Sequence, residues 1–122
     1  MMGKQKSQSS EDYLEAIYVL SKQNPVVHRI DVAKRLSVSG AAVNKAVRIL
    51  LSKGLVYEDG KHLFLTKEGE NMAKEVYRRH CVLREFFLSL GVDEQRADED
   101  ACAIEHQISD ETFQAIEKQM KK

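Results

Sequence analysis

The sequence predicts a mainly α-helical protein with one small β-hairpin: an N-terminal winged helix-turn-helix followed by a helical dimerisation domain. Three observations predict it. Apolar residues recur at helical spacing through most of the chain. A single Asp-Gly turn, Asp59-Gly60, interrupts the helices between two β-rich runs. The 122 residues include one Pro and no Trp. A chain of this length makes one domain, or two small modules sharing a core. The expected division is a disordered N-terminus over 1–9, a winged-helix DNA-binding domain over 10–70, and a helical metal-binding and dimerisation domain over 71–122.

Ser10 is placed to cap a first helix, with Glu11 and Asp12 suited to its positive end. Tyr13, Leu14, Ile17, Tyr18 and Leu20 form its apolar stripe to about Lys22, and Asn24-Pro25 breaks it. Val27–Leu36 reads as a short second helix burying Ile30, Val32, Ala33 and Leu36. Ser37 to Gly40 is a turn, and Ser39 caps a third helix over Ala41–Lys53. That helix should bury Ala42, Val43, Ala46, Val47, Leu50 and Leu51, and end at Gly54. Two short helices joined by a tight Gly-containing turn are the helix-turn-helix pattern. Leu55-Val56-Tyr57 and Leu63-Phe64-Leu65 then flank a turn over Glu58–Lys61, forming a wing. Thr66 caps a long fourth helix that runs to Gly91, more than a small winged helix needs, so it should enter a second module. A fifth helix is expected from Asp93 to about Gln107, and a sixth from Ser109 through Phe113 and Ile116 to Met120.

The net charge is zero, but it is unevenly spread. Residues 1–53 carry nine Lys/Arg against four Asp/Glu, while residues 93–111 carry one Arg against eight Asp/Glu. A basic front suits a polyanion and an acidic back suits cations. MMGKQKSQSS has no apolar run after its lysines, so it is not read as a signal peptide. No stretch approaches membrane-spanning length. Cys81 and Cys102, in a chain with no export signal, read as reduced thiols, and the expected location is the cytoplasm.

In a helix-turn-helix the second helix enters the major groove and its N-terminal side chains reach base edges. The face expected to meet DNA is Ser39, Gly40, Ala41, Asn44, Lys45 and Arg48. Its small residues permit close approach, and Ala41 and Ala42 could touch a thymine methyl. Asn44 and Lys45 are candidates for base edges, Ser39 and Arg48 for phosphates. On the wing, Lys61 and His62 would lie along the backbone or minor groove. The bland alternative is a solvated polar face on an ordinary helical hairpin.

Asp98–Ser109 reads DEDACAIEHQIS. Helical offsets of three and four put Cys102, Glu105 and His106 on one face, about 5–6 Å apart at Cβ. Such a cluster needs further ligands to hold a divalent metal, and Asp12, Glu15 and His80 are available. Each of these residues alone is ordinary: a solvated acid pair, a surface His, a small buried thiol. Together they make coherent chemistry. Carboxylates and imidazoles suit Mn²⁺ and Fe²⁺, while a thiolate shifts preference toward Fe²⁺, Co²⁺ or Zn²⁺. Six donors exceed what one tetrahedral zinc takes; they suit one six-coordinate ion, or two ions bridged by Glu105. The sequence has no Gly-rich phosphate loop and no nucleophile motif, so an enzyme is not expected.

From about Ser10 to Gln119 the chain resembles the diphtheria-toxin-repressor family of metal-dependent transcriptional regulators, its manganese-transport-regulator branch above all. The resemblance rests on Glu11-Asp12-Tyr13-Leu14-Glu15-Ala16-Ile17-Tyr18, on Val38-Ser39 through Val47, and on Leu65-Thr66-Lys67-Glu68-Gly69. Arg79-His80 and Cys102-Ala103-Ile104-Glu105-His106 complete it, the last being the most specific. It implies a homodimer that binds palindromic double-stranded operator DNA when loaded with Mn²⁺ or Fe²⁺ and represses metal-uptake genes. Zn²⁺ and Co²⁺ are expected to bind in vitro. It also implies that Asp12, Glu15, His80, Cys102, Glu105 and His106 are the metal ligands, with no organic cofactor and no membrane partner. Asp12 and Glu15 match the manganese branch, which has a carboxylate where this chain has Cys102; the thiol matches the iron-responsive branch. That branch places ancillary ligands where this chain has Arg84 and Asp98. The third, SH3-like domain of longer members is not expected. Two rivals stand beside this reading. One is a metal-independent winged-helix regulator answering an organic ligand or thiol oxidation; the other is a small metal enzyme or metal-storage protein.

Overall fold

The computed structural model describes residues 10–121, so the expected disorder of 1–9 lies outside the described residues. The elements are α1 (Ser10–Gln23), α2 (Arg29–Leu36), α3 (Gly40–Ser52), β1 (Val56–Asp59), β2 (His62–Leu65), α4 (Lys67–Ser89), α5 (Glu94–Ile104) and α6 (Asp110–Met120). They form two compact units, one ending at Lys74 and the other starting at Glu75, so the boundary falls within α4. The mainly helical class with one antiparallel hairpin is the one the sequence predicts.

The first unit closes over one apolar core. Leu14 and Ile17 of α1, Val32 of α2, Val43, Val47 and Leu50 of α3, and Leu63 of β2 are almost wholly buried. Each such side chain contributes on the order of 1.5–3 kcal/mol. Ser39 starts α3 as expected, its Oγ accepting from the Ala42 N–H at 3.1 Å. Before α3 the chain turns through Ser37, a non-glycine residue at φ 56°. Its N–H and that of Val38 both return to the Ala33 carbonyl, which satisfies an acceptor at the end of α2.

Three details differ from expectation. α2 begins at Arg29, two residues late, because Val27 stays extended and its carbonyl accepts from the Leu63 N–H at 2.8 Å. Ile30 is 60% exposed, because it lies about 200° around the helix from buried Val32, on the opposite face. Leu51 is also exposed, since adjacent Leu50 takes the inward direction. The hairpin turn is tighter than four residues. Asp59 pairs with His62, leaving Gly60-Lys61 as the turn, and Gly60 supplies the positive φ of 65°.

The hairpin hands over to α4 through Thr66. Its hydroxyl donates to the Gly54 carbonyl (2.8 Å) and accepts from the Gly69 N–H (3.1 Å), while its own N–H reaches the Leu55 carbonyl (3.1 Å). The first turn of α4 therefore lies directly on backbone.

The second unit has its own core of Leu83, Ala101 and Phe113, with Val82, Phe87, Ile104, Ile108 and Ile116 packed on it. Asp93 and Ser109 cap α5 and α6 through the N–H groups of Arg96 and Thr112. α5 ends at Ile104, short of the expected Gln107, because the chain must turn before Ser109 restarts it. Gln107 and Ile108 both donate to the Ile104 carbonyl in that turn.

Two substitutions test these backbone constraints by urea unfolding. A Cβ at Gly69 would collide with the Leu55 carbonyl, whose carbon would sit 2.9 Å away. Gly69→Ala should therefore destabilise the protein by about 1–3 kcal/mol; an unchanged midpoint would show that α4 does not need this close approach. At Ser37 a left-handed conformation costs an L-residue about 1–2 kcal/mol, part of which glycine returns as lost freedom on folding. Ser37→Gly should stabilise by about 0.5–1 kcal/mol.

Candidate metal centre and nucleic-acid interface

The N-terminal face of α3 is open. Ser39, Gly40, Ala41, Asn44, Lys45 and Arg48 are all exposed, and Ala42 is half-buried. Lys61 is exposed at the tip of the hairpin. His62 is half-buried, its ring edge-on to His28 at 5.2 Å and to Phe64 at 6.3 Å. On the same face of the wing, Tyr57 and Phe64 stack at 5.1 Å.

Asn44 is tied from behind by Arg29. The Arg29 Nη1 donates to Asn44 Oδ1 at 2.9 Å, while its Nε and Nη2 hold both oxygens of Glu58 on β1 at 2.8 and 2.7 Å. This fork raises the Arg29 pKa and lowers that of Glu58, in each case chiefly through the side-chain hydrogen bond. Arg29 was not among the residues singled out from the sequence. A signal for it was present: a cation in the first turn opposes the helix dipole and needs an anion from elsewhere.

In the second unit, His80 of α4 stands between two carboxylates. Its Nδ1 is 3.0 Å from Glu105 Oε1 and its Nε2 is 2.8 Å from Asp98 Oδ1. His106 Nε2 lies 3.3 Å from Glu105 Oε2. The Glu105 residue is only 2% exposed, and its Oε2 accepts no hydrogen bond among the described residues. Glu105 and His106 follow α5 rather than belonging to it, but Glu105 keeps a right-handed helical backbone (φ −60°, ψ −26°) and donates its N–H to Ala101. The three-residue offset from half-buried Cys102 thus survives the helix end.

Arg79 holds the α5–α6 turn in place. Its guanidinium donates to the Ile108 carbonyl and to Asp110, both at 2.9 Å, and lies 4.8 Å from the centre of the Phe113 ring. Arg78 pairs with Glu75 and Glu117. Arg84 lies 3.5 Å from the same Asp98 oxygen that His80 contacts, so these two positions form an ion pair.

In the first unit, Asp12 and Glu15 lie three residues apart on α1, Asp12 buried and Glu15 half-buried. Burial, reinforced by the Asp12 charge, holds the Tyr13 phenol above its ordinary pKa.

The second unit's donors fit a divalent cation. A buried carboxylate oxygen without a hydrogen bond demands positive charge. A neutral imidazole donates from one nitrogen only. If a neutral His80 donates to Asp98, its other nitrogen faces the Glu105 carboxylate as a lone pair, an arrangement that a cation would complete. A metal-bound histidine ordinarily gives its other N–H to a carboxylate, and Asp98 occupies that place.

Two family models cover nearly the whole chain: "Iron dependent repressor, N-terminal DNA binding domain" over 6–63 and "Iron dependent repressor, metal binding and dimerisation domain" over 66–122. The HTH-type transcriptional regulator MntR of Lysinibacillus sphaericus is 40% identical over 102 residues, 83% of this chain and 73% of its own. An HTH-type transcriptional regulator of Methanocaldococcus jannaschii is 37% identical over 119 residues, 95% of each chain. The solved structure of the manganese regulator SloR superposes with a TM-score of 0.85 at 31% identity, over 95% of this chain and 55% of that one. The chain thus spans about half the length of that structure. An open helix-turn-helix face, a buried carboxylate between two histidines and these matches agree: the chain belongs to the diphtheria-toxin-repressor family of metal-dependent transcriptional regulators, and is MntR-like within it.

Proposed function

We propose that this chain is a cytoplasmic repressor of metal-uptake genes that binds palindromic operator DNA as a homodimer when loaded with Mn²⁺ or Fe²⁺. The observation that carries the proposal is the Glu105 carboxylate, buried between His80 and His106 with one oxygen that accepts no hydrogen bond among the described residues. The ligands on this reading are Asp12, Glu15, His80, Cys102, Glu105 and His106. Asp98 orients His80, and Arg84 holds Asp98. A bound divalent ion supplies the positive charge that this acidic set lacks. Base edges are read by Asn44 and Lys45 with Ala41 and Ala42 against methyl groups, and phosphates by Ser39, Arg48, Lys61 and His62. The metal-independent alternative is not favoured, since the matching family model is of a metal-binding domain. The choice between the two metals turns on Cys102: a manganese regulator is among the similar structures, whereas a thiolate donor favours Fe²⁺.

The central experiment is DNA binding from a promoter library at fixed salt, with and without each metal under reducing conditions. Metal should tighten binding by about 5–150-fold, the usual range of coupling between two sites. Equal affinity in chelator and in every metal would sink the reading.

Asp98 gives a second, independent check. Loss of an orienting carboxylate costs about 10–100-fold in metal affinity, and Asp98 is well exposed, so the lower end is expected. Asp98→Ala should weaken metal binding about tenfold in a chelator competition, with unchanged folding. Unaltered affinity would remove Asp98 from the site.

A further inference from the structure

The clamp on Asn44 changes what that side chain can read. A guanidinium has five donors and no acceptor, so the Asn44 amide presents its oxygen to Arg29 and its NH₂ away from it. The Arg29 side chain is not free to swing aside, because Glu58 holds it through two hydrogen bonds at 2.7 and 2.8 Å. Three elements converge on one amide: the start of α2, the middle of α3 and β1 of the wing.

Asparagine recognises adenine through both ends of its amide: the oxygen accepts from N6 and the NH₂ donates to N7. Here the oxygen is already engaged at 2.9 Å. The oxygen keeps a second lone pair, but it is turned toward Arg29, and the NH₂ with its two donors is the part of the amide turned away from the guanidinium. Guanine offers two acceptors, N7 and O6, on its major-groove edge, and thymine offers O4. Adenine offers N7 alone, beside an N6 donor that would face the Asn44 NH₂.

We infer that Arg29 is a specificity-determining residue that acts through Asn44: held by Glu58, it fixes the amide with its oxygen toward Arg29 and its NH₂ outward, so that Asn44 presents donors and favours guanine or thymine over adenine. Arg29 is thus a positioning residue, and the inference rests on the DNA-binding reading above. The wing shares in base choice through Glu58 without touching a base.

The test is selection from a randomised palindromic library with the metal-loaded full chain, comparing the unaltered protein with Asn44→Ala, Arg29→Met, Glu58→Ala and the Arg29→Met/Asn44→Ala double variant. The base pair read by Asn44 is the one whose preference Asn44→Ala flattens. At that position the unaltered protein should prefer guanine or thymine to adenine. Arg29→Met should raise adenine relative to guanine there by about tenfold, the scale of one good base contact. Glu58→Ala should move the ratio the same way, and serves alone if Arg29→Met does not fold. The double variant should match Asn44→Ala at that position. A uniform loss of affinity with base preference unchanged would overturn the inference and make Arg29 a phosphate contact or a structural residue. So would a library in which Asn44→Ala flattens no position, or in which the unaltered protein already prefers adenine there. Enrichment of no sequence by the metal-loaded protein would instead overturn the DNA-binding reading itself.

Discussion

A carboxylate taken out of water has to be matched by positive charge, and the second unit is arranged around that requirement at Glu105. Burying an unpaired anion costs several kcal/mol or more. Glu105 is nevertheless the most buried charged residue described. Two imidazoles approach it, one from α4 and one from the residue beside it. The turn that carries it is tethered by Arg79 to the Ile108 carbonyl and Asp110, and the Arg79 guanidinium lies against Phe113 in the local core. Removing the ring beneath that guanidinium would loosen the turn as well as the core. Packing and site therefore depend on each other in this unit, and one oxygen of Glu105 still has no hydrogen bond.

The first unit shows the contrasting case. Glu58 is also a partly buried carboxylate, but Arg29 meets both its oxygens and lowers its pKa. That pair is complete, so it has nothing left to offer a cation. Its use is geometric: it fixes a guanidinium whose remaining donor fixes Asn44. The sign of its contribution follows from the depressed carboxylate. It stabilises the fold above the ordinary carboxylate range and is lost as pH falls through the lowered Glu58 pKa. One small chain thus holds a carboxylate met at both oxygens by a guanidinium and a buried one with an oxygen that accepts no hydrogen bond among the described residues, and only the second suits the proposed ligand set.

Most of the fold is legible in the sequence because its signals are local. Ser39, Thr66, Asp93 and Ser109 each accept from a backbone N–H at the helix start where the sequence places them. The Asp-Gly pair marks the hairpin. What the sequence hides is decided by contacts distant along the chain. Val27 stays out of α2 because a strand 36 residues later takes its carbonyl. The metal-ligand candidates are legible as residue types at helical spacing, yet Asp98 enters the sequence reading only through the ancillary position of the iron-responsive branch and not as a partner of His80. Its role depends on an 18-residue separation from His80 that periodicity does not encode. The first-turn charge of Arg29 signals that it needs an anion, but which one is hidden for the same reason, since both of its partners lie on other elements.

The proposed donor set sets a limit on how metal choice is made. First-row affinities rise toward copper and leave zinc above manganese and iron, and a thiolate widens that gap. A site containing Cys102 therefore cannot select Mn²⁺ or Fe²⁺ by affinity. Coordination number offers a way. Zinc is satisfied by four ligands, commonly including thiolate and imidazole, and would leave part of a six-donor set unused. Manganese and ferrous iron accept six and would engage the whole proposed set. If the DNA-binding state differs from the inactive state in how many of those donors are ligated, six-coordinate ions interact differently with the two states where zinc need not. A ligand that binds both states equally shifts nothing, however tightly it binds. Selectivity on this argument lies in the coupling to DNA rather than in occupancy of the site, and Cys102, where it is a ligand as proposed, would set how tightly the wrong metal sits without deciding whether it activates.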